Sequence, residues 1–233
     1  MQAERSDCQA LLNSNNNMKW EIEMDSISTT NLQTLNHGCW LSDEVVSFYF
    51  KLLAKRDAEL TAENPGRKRS HFFNSFFFTK LIDDDNGYKY SNVKRWGKKA
   101  PGGNVLLLDK VIVPCNLGNS HWTCICAFLK EKKIQYYDSF AGQGNRYLNA
   151  LLQYLEDEAK KHGTPFDRDE WELVPTDLHK TPQQQNGYDC GVFTCTCADF
   201  LSVGLAGLDY SQPDIREQRL RFVHKITMGS LTA

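Results

Sequence analysis

The stretch that most restricts the fold lies between residues 104 and 140, where three apolar runs follow one another with little between them. "NVLLLDKVIVP", "WTCICAFLK" and "KIQYYDSF" read as β-strands, and the last two meet at the polar turn "EKK" as a hairpin. "WELVP" adds a further strand downstream. Helical patterns stand on either side of this block. "WLSDEVVSFYFKLLAKRDAEL" offers Ser42 as N-cap, Asp43 and Glu44 at the positive end of the dipole, and Val45, Val46, Tyr49, Leu52 and Leu53 on one face. "RYLNALLQYLEDEAKKHG" is an amphipathic helix closed by a glycine. The run entered at Cys190 and "QPDIREQRLRFVHKITMGSL" complete the set. With no internal repeat and no long linker, the chain reads as one α+β domain.

Outside these elements the chain is less ordered in pattern. Residues 1–17 end in the polar tract "NSNNN" and read as a flexible tail, which starts the domain at residue 18 and runs it to 233. Ile22 and Met24 alternate with Glu21 and Glu23 as a short strand would, and Thr29 or Thr30 is expected to cap a helical turn carrying Leu32 and Leu35. "HFFNSFFFTKLI" is aromatic enough to be buried, and "DDDNGYKYSN" reads as an exposed turn.

A chain of 233 residues with 41% hydrophobic and 24% charged residues has the composition of one sizeable globular core. Its formal net charge of -2 gives no footing for nucleic acid, and Arg67-Lys68-Arg69 and Lys94-Arg95 read as solvated loops. No apolar run has the length of a membrane span, and "MQAERSDCQALL" lacks the layout of a secretory signal. Most of the eight cysteines fall inside apolar runs such as "HWTCICAFL", where a reduced thiol is a small core hydrophobe. The expected compartment is therefore a reducing one, nucleus or cytosol.

The chemistry concentrates in "QQQNGYDCG", residues 183–191. A thiol attacks as its thiolate, so a nucleophilic Cys190 needs a helix N-terminus, an imidazole, or both. The helix after Asp189-Cys190-Gly191 supplies the first, and Gly191 is expected to keep the approach to the sulfur open. Among six histidines, His121 stands where the loop "NLGNS" enters a buried strand. Asp138 ends the next strand, but a tight hairpin pairs it with residues near Ile125, so His121 must bend back to meet it; the spacing alone does not establish that contact. An amide from the glutamine run, held by Pro182 and the Asn186-Gly187 turn, would serve as donor to the negative oxygen formed on attack.

"HW", "YYDS" and "PQQQNGYDCGVF", in this order and at these separations, resemble the SUMO-specific cysteine proteases, the Ulp/SENP family. The likeness extends to "LQTLNHGCWLSDEVVSFYF", "FNSFFFTKL", "VKRW" and "VIVPCNLGNSHW", from about residue 20 to the C-terminus. It implies a papain-like fold with a mixed sheet flanked by helices, and cleavage after the Gly-Gly terminus of SUMO, both to mature its precursor and to free it from lysines. Carried onto this sequence, it implies Cys190 as nucleophile, His121 as general base, Asp138 as its orienting partner and Gln184 as oxyanion donor. Trp40 and Trp122 are assigned to the walls of a tunnel that admits only glycines, and Arg95 and Trp96 to contact with the modifier. It implies no metal or organic cofactor, SUMO and its conjugates as partners of a monomer, and residence in the nucleus or at the nuclear pore, with the cytoplasm as alternative.

The sequence departs from the family at three places. Ser42 stands where asparagine is usual, "GYKYSNVKRW" is about two residues longer, and "DDDN" makes the preceding turn acidic. The last two bear on modifier preference rather than on catalysis. Rival readings are a zinc site at Cys124-x-Cys126 and Cys195-x-Cys197, against which the close spacing argues; a non-catalytic module, which would be expected to lack one of the four catalytic residues; the same chemistry on another ubiquitin-like modifier; and an acyltransferase, against which the paired tryptophans argue.

Overall fold

The apolar runs are nearly continuous because the sheet they form is covered on both faces. In the computed structural model, which describes residues 2–23, 25–67, 69–83, 87–205 and 207–231, five strands lie side by side in chain order. They are β1 (Ser70–Phe72), β2 (Lys110–Leu117), β3 (His121–Phe128), β4 (Lys133–Tyr137) and β5 (Glu172–Val174). The β2–β3 and β3–β4 pairs are antiparallel, and β1 and β5 join the edges in parallel, which makes the sheet mixed. The longer helices are α1 (Gln2–Leu12), α2 (Asp43–Glu63), α3 (Asn145–His162), α4 (Cys190–Val203) and α5 (Ile215–Met228).

Alternate side chains of the sheet enter two cores, as a period of two requires. Ile112, Trp122, Cys124, Cys126 and Tyr137 pack with Tyr49 and Leu53 of α2, Phe193 of α4 and Phe222 of α5. Val111, Val113, Ile125, Ala127, Ile134 and Tyr136 pack on the other side with Leu148, Leu151 and Leu155 of α3. The aromatic segment completes this second core, with Phe73 and Phe77 stacked at 3.9 Å between ring centroids. Ser42 caps α2 by accepting from the Val45 N–H at 3.4 Å, and Gly163 closes α3 in the left-handed region at φ 64°.

Three local expectations are corrected. Residues 1–17 are not a flexible tail throughout, since α1 occupies the first part. Cys8 and Leu12 lie on its inner side and are buried, Arg5 pairs with Glu217 of α5 at 2.6 Å, and Asn36 donates to the Leu12 carbonyl at 3.2 Å. A narrow apolar stripe suffices because α5 is there to cover it. The strand expected from residue 104 starts only at Lys110. Asn104 caps a 3-10 turn over Val105–Leu107 by accepting from the Leu106 N–H at 3.0 Å, and this local bond competes with the ladder. The turn Thr29–Leu32 is capped by Ser28 rather than by a threonine: Ser28 and Asn31 exchange side-chain and backbone bonds as a capping box. Met24, Lys68 and residues 84–86 of the acidic turn lie outside the described residues.

Candidate active site

Cys190 is the first residue of α4, so its sulfur sits where the helix dipole favours negative charge. Asn186 builds the approach. Its side-chain oxygen accepts from the Tyr188 and Asp189 N–H groups, both at 3.1 Å, and its amide donates to Asp189 Oδ2 at 2.7 Å. Asp189 is held from the far side by Arg219, whose Nη2 and Nε donate to Oδ1 at 2.7 and 3.0 Å, and by Gln212 at 2.8 Å. Burial acts to raise the Asp189 pKa, but the bonds from Asn186, Arg219 and Gln212 outweigh it and hold the carboxyl below its ordinary range. Gly191 has a reason other than access to the sulfur. A Cβ there would meet the Leu41 side chain at 2.9 Å, so glycine lets the segment after Trp40 pack against α4.

His121 and Asp138 meet without the backward bend that the spacing suggested. Tyr137 lies opposite Cys124, which sets Asp138 across from Thr123, two residues and therefore one same-face step from His121. The two are diagonal neighbours, and His121 Nε2 lies 2.6 Å from Asp138 Oδ1. The Phe140 N–H donates to the same oxygen at 2.7 Å, and the Phe140 ring lies over the imidazole at 5.1 Å between centroids. Gly142 is required because a Cβ there would lie 2.2 Å from Asp138 Oδ2. With Nε2 on the carboxylate, Nδ1 is the nitrogen left for Cys190, and it is buried without another partner. Burial opposes charge on the ring, but hydrogen bonding and charge from Asp138 and Cys190 outweigh it and raise the His121 pKa to about 9.

Gln184 is buried, and both ends of its amide are engaged. The Ser139 hydroxyl lies 2.6 Å from Oε1, and Nε2 donates to the Asn186 carbonyl at 2.5 Å. Gln183 instead donates to the carbonyls of Asp138 and Thr181, at 3.1 and 3.0 Å. Trp40 is half exposed, with Nε1 donating to the Gly187 carbonyl at 2.8 Å. Trp122 is 5% exposed, and its Nε1 donates to the Leu41 carbonyl at 3.2 Å. Of the two tryptophans, Trp40 thus lies at the surface and Trp122 in the core.

Arg95 and Trp96 are not brought to this cluster. Trp96 packs on Phe77 at 6.0 Å, and Gly97 lies against Glu158 near the C-terminal end of α3. The loop after Asp138 leads into the N-terminal end of that helix at Asn145, 13 residues and about 20 Å along its axis from Glu158. The paired cysteines are core residues: Cys124, Cys126, Cys195 and Cys197 are free and buried, and burial pushes the Cys124, Cys126 and Cys195 thiols well up. Among the described residues no cluster of three or more His, Cys, Asp or Glu is placed to hold a metal ion.

Residues 39–228 match the model of the Ulp1 protease family, C-terminal catalytic domain. The chain belongs to the Ulp1 protease family. It is 39% identical over 197 residues to the ubiquitin-like-specific protease ESD4 of Arabidopsis thaliana, covering 84% of this chain and 39% of that protein. It is 39% identical over 177 residues to sentrin-specific protease 2 of Mus musculus, covering 76% of this chain and 28% of that one. The chain therefore spans well under half the length of these Ulp1-family relatives. Among solved structures, the C-terminal Ulp1 protease domain in complex with Smt3, the yeast ortholog of SUMO, superposes with a TM-score of 0.81 at 30% identity, covering 98% of this chain and 95% of that one.

Sequence reading passed over Arg219, Ser139 and Phe140. Arg219 had a visible signal, because it interrupts the apolar stripe Ile215, Phe222, Val223, Ile226 of α5 and is itself only 2% exposed. It donates to the Thr34, Asn36, Cys39 and Tyr188 carbonyls as well as to Asp189, so it ties the Trp40 segment to the turn before Cys190.

Proposed function

We propose that the chain is a thiol protease that cleaves after the C-terminal Gly-Gly of SUMO, maturing its precursor and releasing it from lysines of conjugates. The observation that carries the reading is Cys190 on the first turn of α4 beside His121, whose ring is bonded to Asp138 and carries a pKa raised to about 9. At neutral pH that ring is an imidazolium, and a cation beside a sulfur favours the thiolate.

Cys190 attacks the carbonyl carbon of the terminal glycine, and the carbonyl oxygen takes up the electron pair as an oxyanion. An N–H of Gln184 stabilises that charge, with α4 contributing its positive end. On collapse, His121 gives its proton to the leaving amine, which departs and leaves a thioester on Cys190. Water then attacks the thioester carbonyl while His121 takes a proton from it, the C–S bond breaks to return the Cys190 thiolate beside the imidazolium, and the modifier leaves as the acid, which ionises in solvent. Trp40 would press the extended Gly-Gly from one side over the Leu41–Trp122 floor, and Arg95 and Trp96 would meet the modifier far from the bond. The family resemblance also supports action in the nucleus or at the nuclear pore, which imaging of the full-length protein tests.

The experiment is covalent capture. The protein is incubated with SUMO and other ubiquitin-like modifiers bearing an electrophile at the C-terminal glycine, and the adduct is mapped by peptide analysis. SUMO should attach at Cys190 and fail to attach in Cys190→Ala. Cys39, an exposed thiol, is the internal control. Capture of another modifier in preference to SUMO would keep the chemistry and change the substrate, whereas attachment at Cys39 alone would remove the mechanism.

A further inference from the structure

We propose that Ser139 is the positioning residue that turns the Gln184 amide into an oxyanion donor, an inference that rests on the reading of Gln184 given above. Ser139 and Gln184 are 5% and 7% exposed, so neither relies on bulk water for its hydrogen bonds. The orientation of the amide is fixed by chemistry. The Asn186 carbonyl can only accept, so the Gln184 atom bonded to it is Nε2, and the opposite end, facing Ser139 Oγ at 2.6 Å, is the oxygen. The serine hydroxyl must therefore donate. One N–H of Nε2 is used on Asn186, and the second remains for a substrate oxygen.

Ser139 grips Gln184 twice, since its carbonyl also accepts the Gln184 N–H at 3.0 Å. Its neighbour Asp138 holds His121 through its carboxylate and Gln183 through its carbonyl. One dipeptide at the end of β4 thus sets both the imidazole and the amide, so proton transfer and oxyanion stabilisation share an anchor. Without the hydroxyl, Gln184 Oε1 is a buried acceptor with no donor, and the Asn186 carbonyl is the one side-chain bond left to hold the amide against rotation. A rotated amide would aim its oxygen at the developing oxyanion and repel it. The loss would fall in the transition state, hence in kcat rather than KM.

The test compares Ser139→Thr with Ser139→Val, which share a shape and differ in the hydroxyl. Ser139 borders a small pocket with Thr181 and Thr194, and the melting temperature of each variant reports whether the added methyl is accommodated. With a Gly-Gly SUMO precursor as substrate, Ser139→Val should lower kcat by roughly tenfold or more, short of the ~10²–10³ expected for Gln184→Ala, with KM changed less than about twofold. Ser139→Thr should retain most of the wild-type rate. In the Gln184→Ala background, Ser139→Val should cost nothing further. If Val disturbs the melting temperature, Ser139→Ala replaces it in the same cycle. A full-sized loss on Ser139→Val in the Gln184→Ala background, or equal losses for Thr and Val, would overturn the role of Ser139 alone. An unchanged kcat in Gln184→Ala would overturn the oxyanion reading and this inference with it.

Discussion

Asp138 and Asp189 are both carboxylates withdrawn from water, at 3% and 2% exposure, and they serve the same small site in different ways. Asp138 meets a group that titrates: His121 and one backbone N–H share its Oδ1. Asp189 meets a group that does not: Arg219 spans one oxygen, and the amides of Asn186 and Gln212 take the other. A permanent guanidinium fits a joint that must hold at every pH, whereas an imidazole fits a position that must give and take a proton. The site therefore separates its chemistry, hung on the end of β4, from its framework, in which α5 locks the turn before α4 to the Trp40 segment.

That contrast breaks most sharply at Asp138. Asp138→Asn keeps the shape but removes the charge and invites the wrong tautomer, so kcat should fall by up to roughly 10⁴ while the melting temperature stays close to wild type. Steady-state kinetics and calorimetry on one preparation check both halves. Arg219→Met should do the reverse, leaving Asp189 buried and unpaired at a cost of about 3–5 kcal/mol, or on the order of 10 °C in melting temperature. Adding Asp189→Asn should restore part of that loss, because the orphan charge is gone. A stable Arg219→Met with an intact site would erase the division between the two carboxylates.

A smaller effect sharpens the role of the Trp40 segment that Arg219 holds. If Trp40 closes over an extended Gly-Gly, alanine at the penultimate position of the modifier should slow kcat/KM by about 10², through overpacking and a displaced carbonyl. Trp40→Ala is the matching probe in the protein. Trp122→Ala would instead open the core, at about 3–5 kcal/mol, and report on stability. Wild-type cleavage of both substrates within a few-fold would return Trp40 to being an ordinary surface aromatic.

Strands β2–β5, helices α2–α5 and the order of the motifs are legible in local periodicity, whereas β1 lies in an aromatic run whose sequence shows only that it is buried. The His121–Asp138 contact is not legible there, because it depends on register: Tyr137 opposite Cys124 makes the pair diagonal neighbours, and the strand lengths alone fix no register. The helix at the N-terminus was missed because its apolar stripe is only Cys8, Leu11 and Leu12, too short to hold a helix without α5. The packing demand at Gly191 is not legible, since the atom it makes room for belongs to Leu41, 150 residues earlier. Arg219 is the legible exception, a charge in the middle of the apolar face of α5.

The central claim is that imidazolium at His121, sustained by Asp138, is the competent state beside Cys190. The most direct measurement is the pH profile of kcat/KM for wild type and Asp138→Asn. Protonated His121 persists up to its raised pKa, so wild-type activity should hold through neutrality and fall on an alkaline limb at about 9. The same raised pKa stabilises the fold below the ordinary histidine range, and that contribution fades as pH rises through about 9. Removing the Asp138 charge removes one of the two supports of the imidazolium, so the limb in Asp138→Asn should move down by roughly one unit or more. A wild-type limb already near the ordinary histidine pKa, or one that stays in place when Asp138 loses its charge, would contradict the account.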